Sequence, residues 1–133
     1  MAIPVARIGR VAVRYINRID FHQSTVEFKD FLNTYPEITA SVPDNVTNFF
    51  MRIEIPQPDI ESFVVLVESA LPPCEEGKAS MIVDIDAYKI QDPPSSIENP
   101  WIALELLRDR KNQYFEALIT DRTRKLFGER NEC

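Results

Sequence analysis

The stretch "RVAVRYINRIDF", Arg10 to Phe21, constrains the fold more than any other part of the chain. Arg10, Arg14 and Arg18 fall on one set of alternate positions, while Val11, Val13, Tyr15 and Ile19 fall on the other. Successive side chains of a β-strand point to opposite faces, so this two-residue period describes a strand with one covered face and one wet face. The β-branched and aromatic residues suit that state. A long first strand, Val5 to Phe21, is therefore predicted. It commits the chain to a sheet whose apolar side must be covered by something else.

The cover is written in two later segments. In "HQSTVEFKDFLNTYP", Ser24 or Thr25 can cap a helix that starts at Glu27 or Phe28. Phe28, Phe31, Leu32 and Tyr35 share a face at helical spacing, and Pro36 ends the run. Near the C-terminus, Asn99 is a helix cap with Pro100 in the first turn, where a missing N–H costs nothing. From Trp101 to about Phe127 a helical stripe passes through Leu104, Leu107, Lys111, Phe115, Leu118 and Arg122. Trp101 is read as a core anchor and Gly128 as the stop. Thr120 and Asp121 offer a second cap, which would divide the run into two shorter helices.

Three strand signals lie between. "NFFMRIEIP" alternates Phe49, Met51 and Ile53 against Phe50, Arg52 and Glu54. "SFVVLVESAL" is nearly continuous and apolar, as a central strand would be. "KASMIVDIDAYKI" sets Met81, Val83, Ile85 and Ala87 against Ser80, Ile82, Asp84, Asp86 and Tyr88. The last two are joined by "PPCEEGK", a short polar turn that marks a hairpin. The order β-α-β-β-β-α predicts an α+β domain over residues 1–133: a curved, mostly antiparallel four-stranded sheet, with a short helix after strand 1 and a long C-terminal helix on one face.

Composition narrows the function. Lys+Arg 15 against Asp+Glu 21 gives a formal charge of −6. Nucleic acid is held mainly by neutralising phosphates, so a net acidic chain without a basic tract is not expected to bind it. No apolar run approaches the length of a membrane span, and "MAIPVARIGR" lacks the apolar segment of a secretory signal. A cytoplasmic protein is expected. Cys74 and Cys133 form no C-x-x-C spacing and are read as free thiols.

The wet face of the sheet gathers Arg10, Arg14, Arg18, Arg52, Glu54, Asp84 and Asp86. Opposite charges on neighbouring strands stabilise a sheet by a few tenths to about 1 kcal/mol per pair. A cross-strand charge ladder is thus the first reading of the arginine row. Asp84-x-Asp86 also has the spacing of two carboxylates that share a hard cation such as Mg²⁺, which makes them weak metal candidates. Nucleotide-transferring enzymes that use such a pair also need a phosphate-cradling glycine-rich turn, and glycines at 9, 77 and 128 do not make one. His22, the one histidine, and the nearby Ser24 and Thr25 form no recognisable nucleophilic arrangement. Asn17 stands apart on the apolar side, where a buried amide needs a hydrogen-bond partner.

"RYINRI" at Arg14–Ile19, "VDID" at Val83–Asp86, and the final helix with Trp101, Leu104, Leu107, Lys111, Phe115–Glu116 and Leu118–Asp121 together resemble a sporadically distributed, uncharacterised bacterial protein family. The resemblance places Arg14, Asn17, Arg18, Asp84 and Asp86 in the matching blocks and implies no activity. Many relatives carry a histidine after the leucine matching Leu107; Arg108 stands there in this chain. Members are generally longer, so the resemblance implies a C-terminal half whose sheet lacks a neighbour.

The expected function is that of a small interaction domain, not an enzyme. It works through protein contacts of the open sheet face or a sheet edge, without a cofactor, and self-associates most simply as a two-fold dimer. The candidate contact or ligand residues are Arg14, Asn17, Arg18, Asp84 and Asp86. Two alternatives stand beside it: metal-dependent phosphoryl or nucleotidyl transfer using Asp84 and Asp86, and a small-ligand cup in which the sheet grips the last helix around Trp101.

Overall fold

The computed structural model describes residues 7–42, 46–73, 75–92 and 95–128. Four strands carry it: β1 (Arg10–Asp20), β2 (Phe50–Gln57), β3 (Ser62–Leu71) and β4 (Ser80–Ile90). They form one open sheet in the order β1-β4-β3-β2, with every neighbouring pair antiparallel. Two helices follow, α1 (Pro100–Leu118) and α2 (Asp121–Gly128). The class is α+β, as the alternating patterns require. Val5 and Ala6 of the predicted first strand lie outside the described residues, as do Cys74 and Cys133, so the reading of two free thiols lies there too.

Register assigns the faces. Tyr15 is opposite Ile85, Ile85 is opposite Leu66, and Leu66 is opposite Ile53. The face that contains this row also carries Val11, Val64, Val83 and Ala87, all buried. Helix α1 lies against it over β1 and β4, and the Tyr15 and Phe115 rings meet edge-on at 5.0 Å. Ile19, Leu32, Val64, Met81, Val83, Ile85 and Leu107 are at most 2% exposed, which places the core between sheet and helices. Replacing a side chain such as Leu107 by alanine in a core of this kind costs about 2–5 kcal/mol.

Helix α1 begins as the sequence predicts. The Asn99 side chain accepts a hydrogen bond from the Ile102 N–H, and Pro100 occupies the first turn. It ends at Leu118, because Ile119 is extended and leaves the helical line. The second cap position at Thr120–Asp121 thus starts a separate helix, which runs through Gly128 instead of stopping before it.

The helix expected after the first strand is not present. A single 3-10 turn, Phe28–Asp30, stands in its place. Tertiary hydrogen bonds draw off the backbone groups that a helix would pair internally. The Phe31 carbonyl accepts from the Thr120 N–H and the buried Thr123 hydroxyl, while the Asn33 N–H donates to the Leu118 carbonyl. Leu32 forms an isolated β-bridge with Ile119. The chain leaves its single turn at Leu32, where it is locked against the α1–α2 junction, and buries Phe31 and Leu32 without a longer helix.

Trp101 is not a core anchor. It is 77% exposed, and Ile102 and Leu106 beside it are 54% and 45% exposed. Ala103 and Leu107, on the other side of the same turns, are the buried residues of the helix start.

Candidate functional site

The uncovered face of the sheet is built from the even-numbered residues of β1, β2 and β4 and the odd-numbered residues of β3. Two cross-strand rows define its centre. Arg14, Asp86, Val65 and Glu54 stand side by side, and next to them run Ile16, Asp84, Val67 and Arg52. Val65 and Val67 on β3 form an apolar floor, walled by Arg10 and Arg14 on β1, Asp84, Asp86 and Tyr88 on β4, and Arg52 on β2. The result is a shallow basin of about 450 Å³.

Arg14 is the best-anchored charge on this face. Its Nε donates to Asp84 Oδ1 at 3.0 Å and to Oδ2 at 3.2 Å, with a further bond from Nη2. The hydrogen bond and the attraction of Asp84 raise the Arg14 pKa above its ordinary value, so the guanidinium is permanently charged. Arg10 lies 3.6 Å from Asp86 and stacks its guanidinium 5.0 Å from the centre of the Tyr88 ring. Tyr88 donates its hydroxyl to Glu54 Oε1, and that bond holds the phenol above its usual pKa, with Arg52 and Arg10 acting in the opposite direction.

The predicted charge ladder exists in part. Arg14 and Arg10 pair with the two aspartates, but Glu54 takes a tyrosine instead of an arginine. Arg18 does not reach across the sheet to either aspartate. Its Nε donates to Asp20 on its own strand, and Nη2 donates to the Pro72 carbonyl. Burial pushes the Asp20 carboxyl up, but hydrogen bonds from Ser80 and Arg18 outweigh it and leave the pKa below the usual range.

Asn17 does not belong with the other four candidates. It lies on the helix-covered face, in the row Asn17–Val83–Glu68–Met51. The pairing of β1 with β4 runs through Asn17 without interruption, from Arg10 to Asp20. It is half-buried, and water can reach its amide. Arg14, Asp84 and Asp86 form one cluster, Arg18 stands at its end, and Asn17 is behind the sheet.

The aspartate pair is a poor metal centre. Both oxygens of Asp84 are engaged by Arg14, and Asp86 Oδ1 is buried without a hydrogen-bond partner among the described residues. A cation would have to displace a fixed positive charge before it met the second carboxylate. Among the described residues, no group of three or more His, Cys, Asp or Glu side chains is arranged to hold a metal ion. The grip-type cup loses its central residue, because Trp101 stands in solvent.

The structure adds one group that the sequence pattern does not single out. Glu68 is fully buried on the covered face of β3, beside Val83 and Met51, and neither carboxyl oxygen has a hydrogen-bond partner among the described residues. Burial alone pushes its pKa up to about 8. The signal was a single acid inside "SFVVLVESAL", at a position whose period matches Val64 and Leu66. A larger cleft of about 900 Å³ lies between Phe28, Tyr35 and Phe49 and the ends of β3 and β4 near Met81.

Compared with protein-family models, with curated proteins and with solved structures, the chain matches none. The geometry therefore stands alone: an antiparallel α+β sheet domain with one covered face and one charged, open face. No helix among the described residues is long and apolar enough to cross a membrane.

Proposed function

We propose that this chain is a small protein-interaction domain that works through the uncovered side or an unpaired edge of its sheet and, first of all, self-associates. One observation carries the reading: the helices serve only one face of a four-stranded sheet. Phe50, Ile16 and Ile90 accordingly remain 70%, 53% and 51% exposed on the other face. They stand apart from one another on a face that also bears fixed charges of both signs, and such a mixture of apolar and charged groups is what a polar contact surface presents. A surface bearing Arg10, Arg14 and Arg52 together with Glu54, Asp84 and Asp86 is also complementary to a second copy of itself.

Light scattering across a wide concentration range tests this. A concentration-dependent mass of two chains supports it, and Arg14→Glu with Arg18→Glu should shift the equilibrium toward one chain. A mass of one chain at every concentration overturns self-association and leaves the open face to a different protein.

A further inference from the structure

The sheet has two outer edges, and they are not equivalent. Backbone N–H and C=O groups of one strand residue point to the same edge, and successive residues alternate. The Phe49 carbonyl accepts from the Ala70 N–H, so the odd-numbered residues of this strand face β3 and the even-numbered ones face outward. Pro56 is among the outward residues, and its absent N–H interrupts that edge. This is a common guard against edge pairing.

The β1 edge carries no such guard. The Gly9 carbonyl accepts from Gln91 and the Phe21 N–H donates to Ala79, so odd-numbered residues face β4. Arg10, Ala12, Arg14, Ile16, Arg18 and Asp20 therefore turn their backbone groups outward. At one end the outward Ile8 carbonyl is taken by the Ile97 N–H, which closes the edge there. The open length is β1 itself, Arg10 to Asp20, and its midpoint is Tyr15.

Charge discriminates among the registers in which two such edges could meet. Centred on Arg14, antiparallel pairing sets Arg14 against Arg14 and Arg10 against Arg18. Centred on Ile16, it sets Arg14 against Arg18. Centred on Tyr15, it sets Arg10 against Asp20, Arg14 against Ile16, and Arg18 against Ala12. Like charges directly opposite destabilise a sheet and opposite charges stabilise it. Registers further out shorten the ladder. Full overlap and charge complementarity therefore select the same arrangement.

We infer that two copies of this chain pair through β1, antiparallel and centred on Tyr15, into one continuous sheet with both helical layers on the same side. This rests on the self-association reading and specifies its geometry. The covered faces agree with it: Val11 meets Ile19, Val13 meets Asn17, and the two Tyr15 residues form the central pair. Exposed Ile16, one residue from the axis, gains an arginine stem as its neighbour.

The test uses the full chain with Cys74→Ser and Cys133→Ser, so that introduced cysteines are the sole thiols. Tyr15 faces Tyr15 in a non-hydrogen-bonded pair, with Cα atoms about 4.5 Å apart, within disulfide reach. Tyr15→Cys should cross-link to a two-chain species on mild oxidation. Arg14→Cys should not, because its own copy lies two residues out of register. A mixture of Arg14→Cys and Ile16→Cys chains should cross-link between the two kinds, and it keeps Tyr15 in place. Ile16→Pro removes an outward N–H without touching the β1–β4 ladder and should weaken the dimer at least about tenfold. A dimer by light scattering that cross-links through Arg14→Cys alone, or through none of these pairs, overturns the register while leaving self-association intact. A single chain at all concentrations overturns both.

Discussion

Arg14 passes over Asp86, the residue directly opposite it on β4, and binds both carboxylate oxygens of the diagonal neighbour Asp84. Diagonal pairs in an antiparallel sheet lie within reach of a long side chain. The choice leaves Asp86 to Arg10 and turns three alternating arginines into two distinct pairs and one end residue. It also occupies both Asp84 oxygens, which a cation would have to take from Arg14.

That pairing predicts a double-mutant result. Arg14→Ala and Asp84→Ala should each lower the urea midpoint of unfolding, and the double variant should fall less than the sum of the two. Because the arginine side chain is 57% exposed, the coupling should be small and should shrink in high salt. Strict additivity would mean that the pair does not hold in solution.

Glu68 predicts a pH dependence of opposite sign to that of an ordinary paired carboxylate. Its ordinary pKa is 4.5, and burial in the folded chain pushes it up to about 8. Between these values the folded chain keeps a proton that the unfolded chain has lost. Stability from this group is fully present below 4.5 and falls as pH rises through the folded value. The cost above pH 8 is roughly 5 kcal/mol at most, since a tenfold change in proton affinity corresponds to about 1.4 kcal/mol. Glu68→Gln should flatten the curve and be the more stable variant in alkali. Parallel curves for the two chains in a pH series of urea melts would show that Glu68 is solvated or paired.

At acid pH other groups take over. Hydrogen bonds from Ser80 and Arg18 overcome the burial of Asp20 and hold its pKa below 3.8. Its contribution is present above that value and is lost as pH falls toward the folded value. Ser80→Ala should therefore lower stability near neutral pH and flatten the loss toward acid, the two chains converging as pH falls through the folded value, as urea melts at pH 2–7 would show.

The single tryptophan reports on the outer surface of α1. With Trp101 77% exposed, its emission should lie near that of free tryptophan in water and be strongly quenched by acrylamide. Trp101→Ala should change stability by less than about 0.5 kcal/mol, as is usual for surface positions. A blue-shifted, protected tryptophan would put the helix start in an apolar setting.

The sheet was legible because one buried face enforces a two-residue period: Val11, Ile19, Val83 and Ile85 all fall where alternation puts them. The break at Thr120–Asp121 was legible from local capping chemistry. Trp101 was not, because the start of α1 is apolar on both sides: Ala103, Leu104 and Leu107 compete with Trp101, Ile102 and Leu106, and periodicity cannot say which stripe meets the sheet. The segment around Phe31 failed for a different reason. Its helical spacing is real, but its backbone partners, Leu118, Thr120 and Thr123, are distant in sequence. The charged face was legible as a set of residues and illegible as a set of pairs, since sequence does not distinguish Arg14 bonding straight across from Arg14 bonding diagonally.

Thr123 tests the lock that replaces that helix. It is fully buried, and its hydroxyl donates to the Phe31 carbonyl, which also accepts from the Thr120 N–H. Thr123→Val keeps the shape and removes the hydroxyl, so the carbonyl retains one partner and the loss should be about 1 kcal/mol. Thr123→Ala also leaves space unfilled and should cost more, roughly 2 kcal/mol. Amide exchange at Asn33, whose N–H binds the Leu118 carbonyl, should accelerate in both variants, because opening the lock exposes that bond. Should the Asn33 amide exchange at the same rate as in the parent chain while global stability falls, the Phe31 segment would be held by Leu32 packing alone, and the hydrogen bonds to the α1–α2 junction would not decide its path.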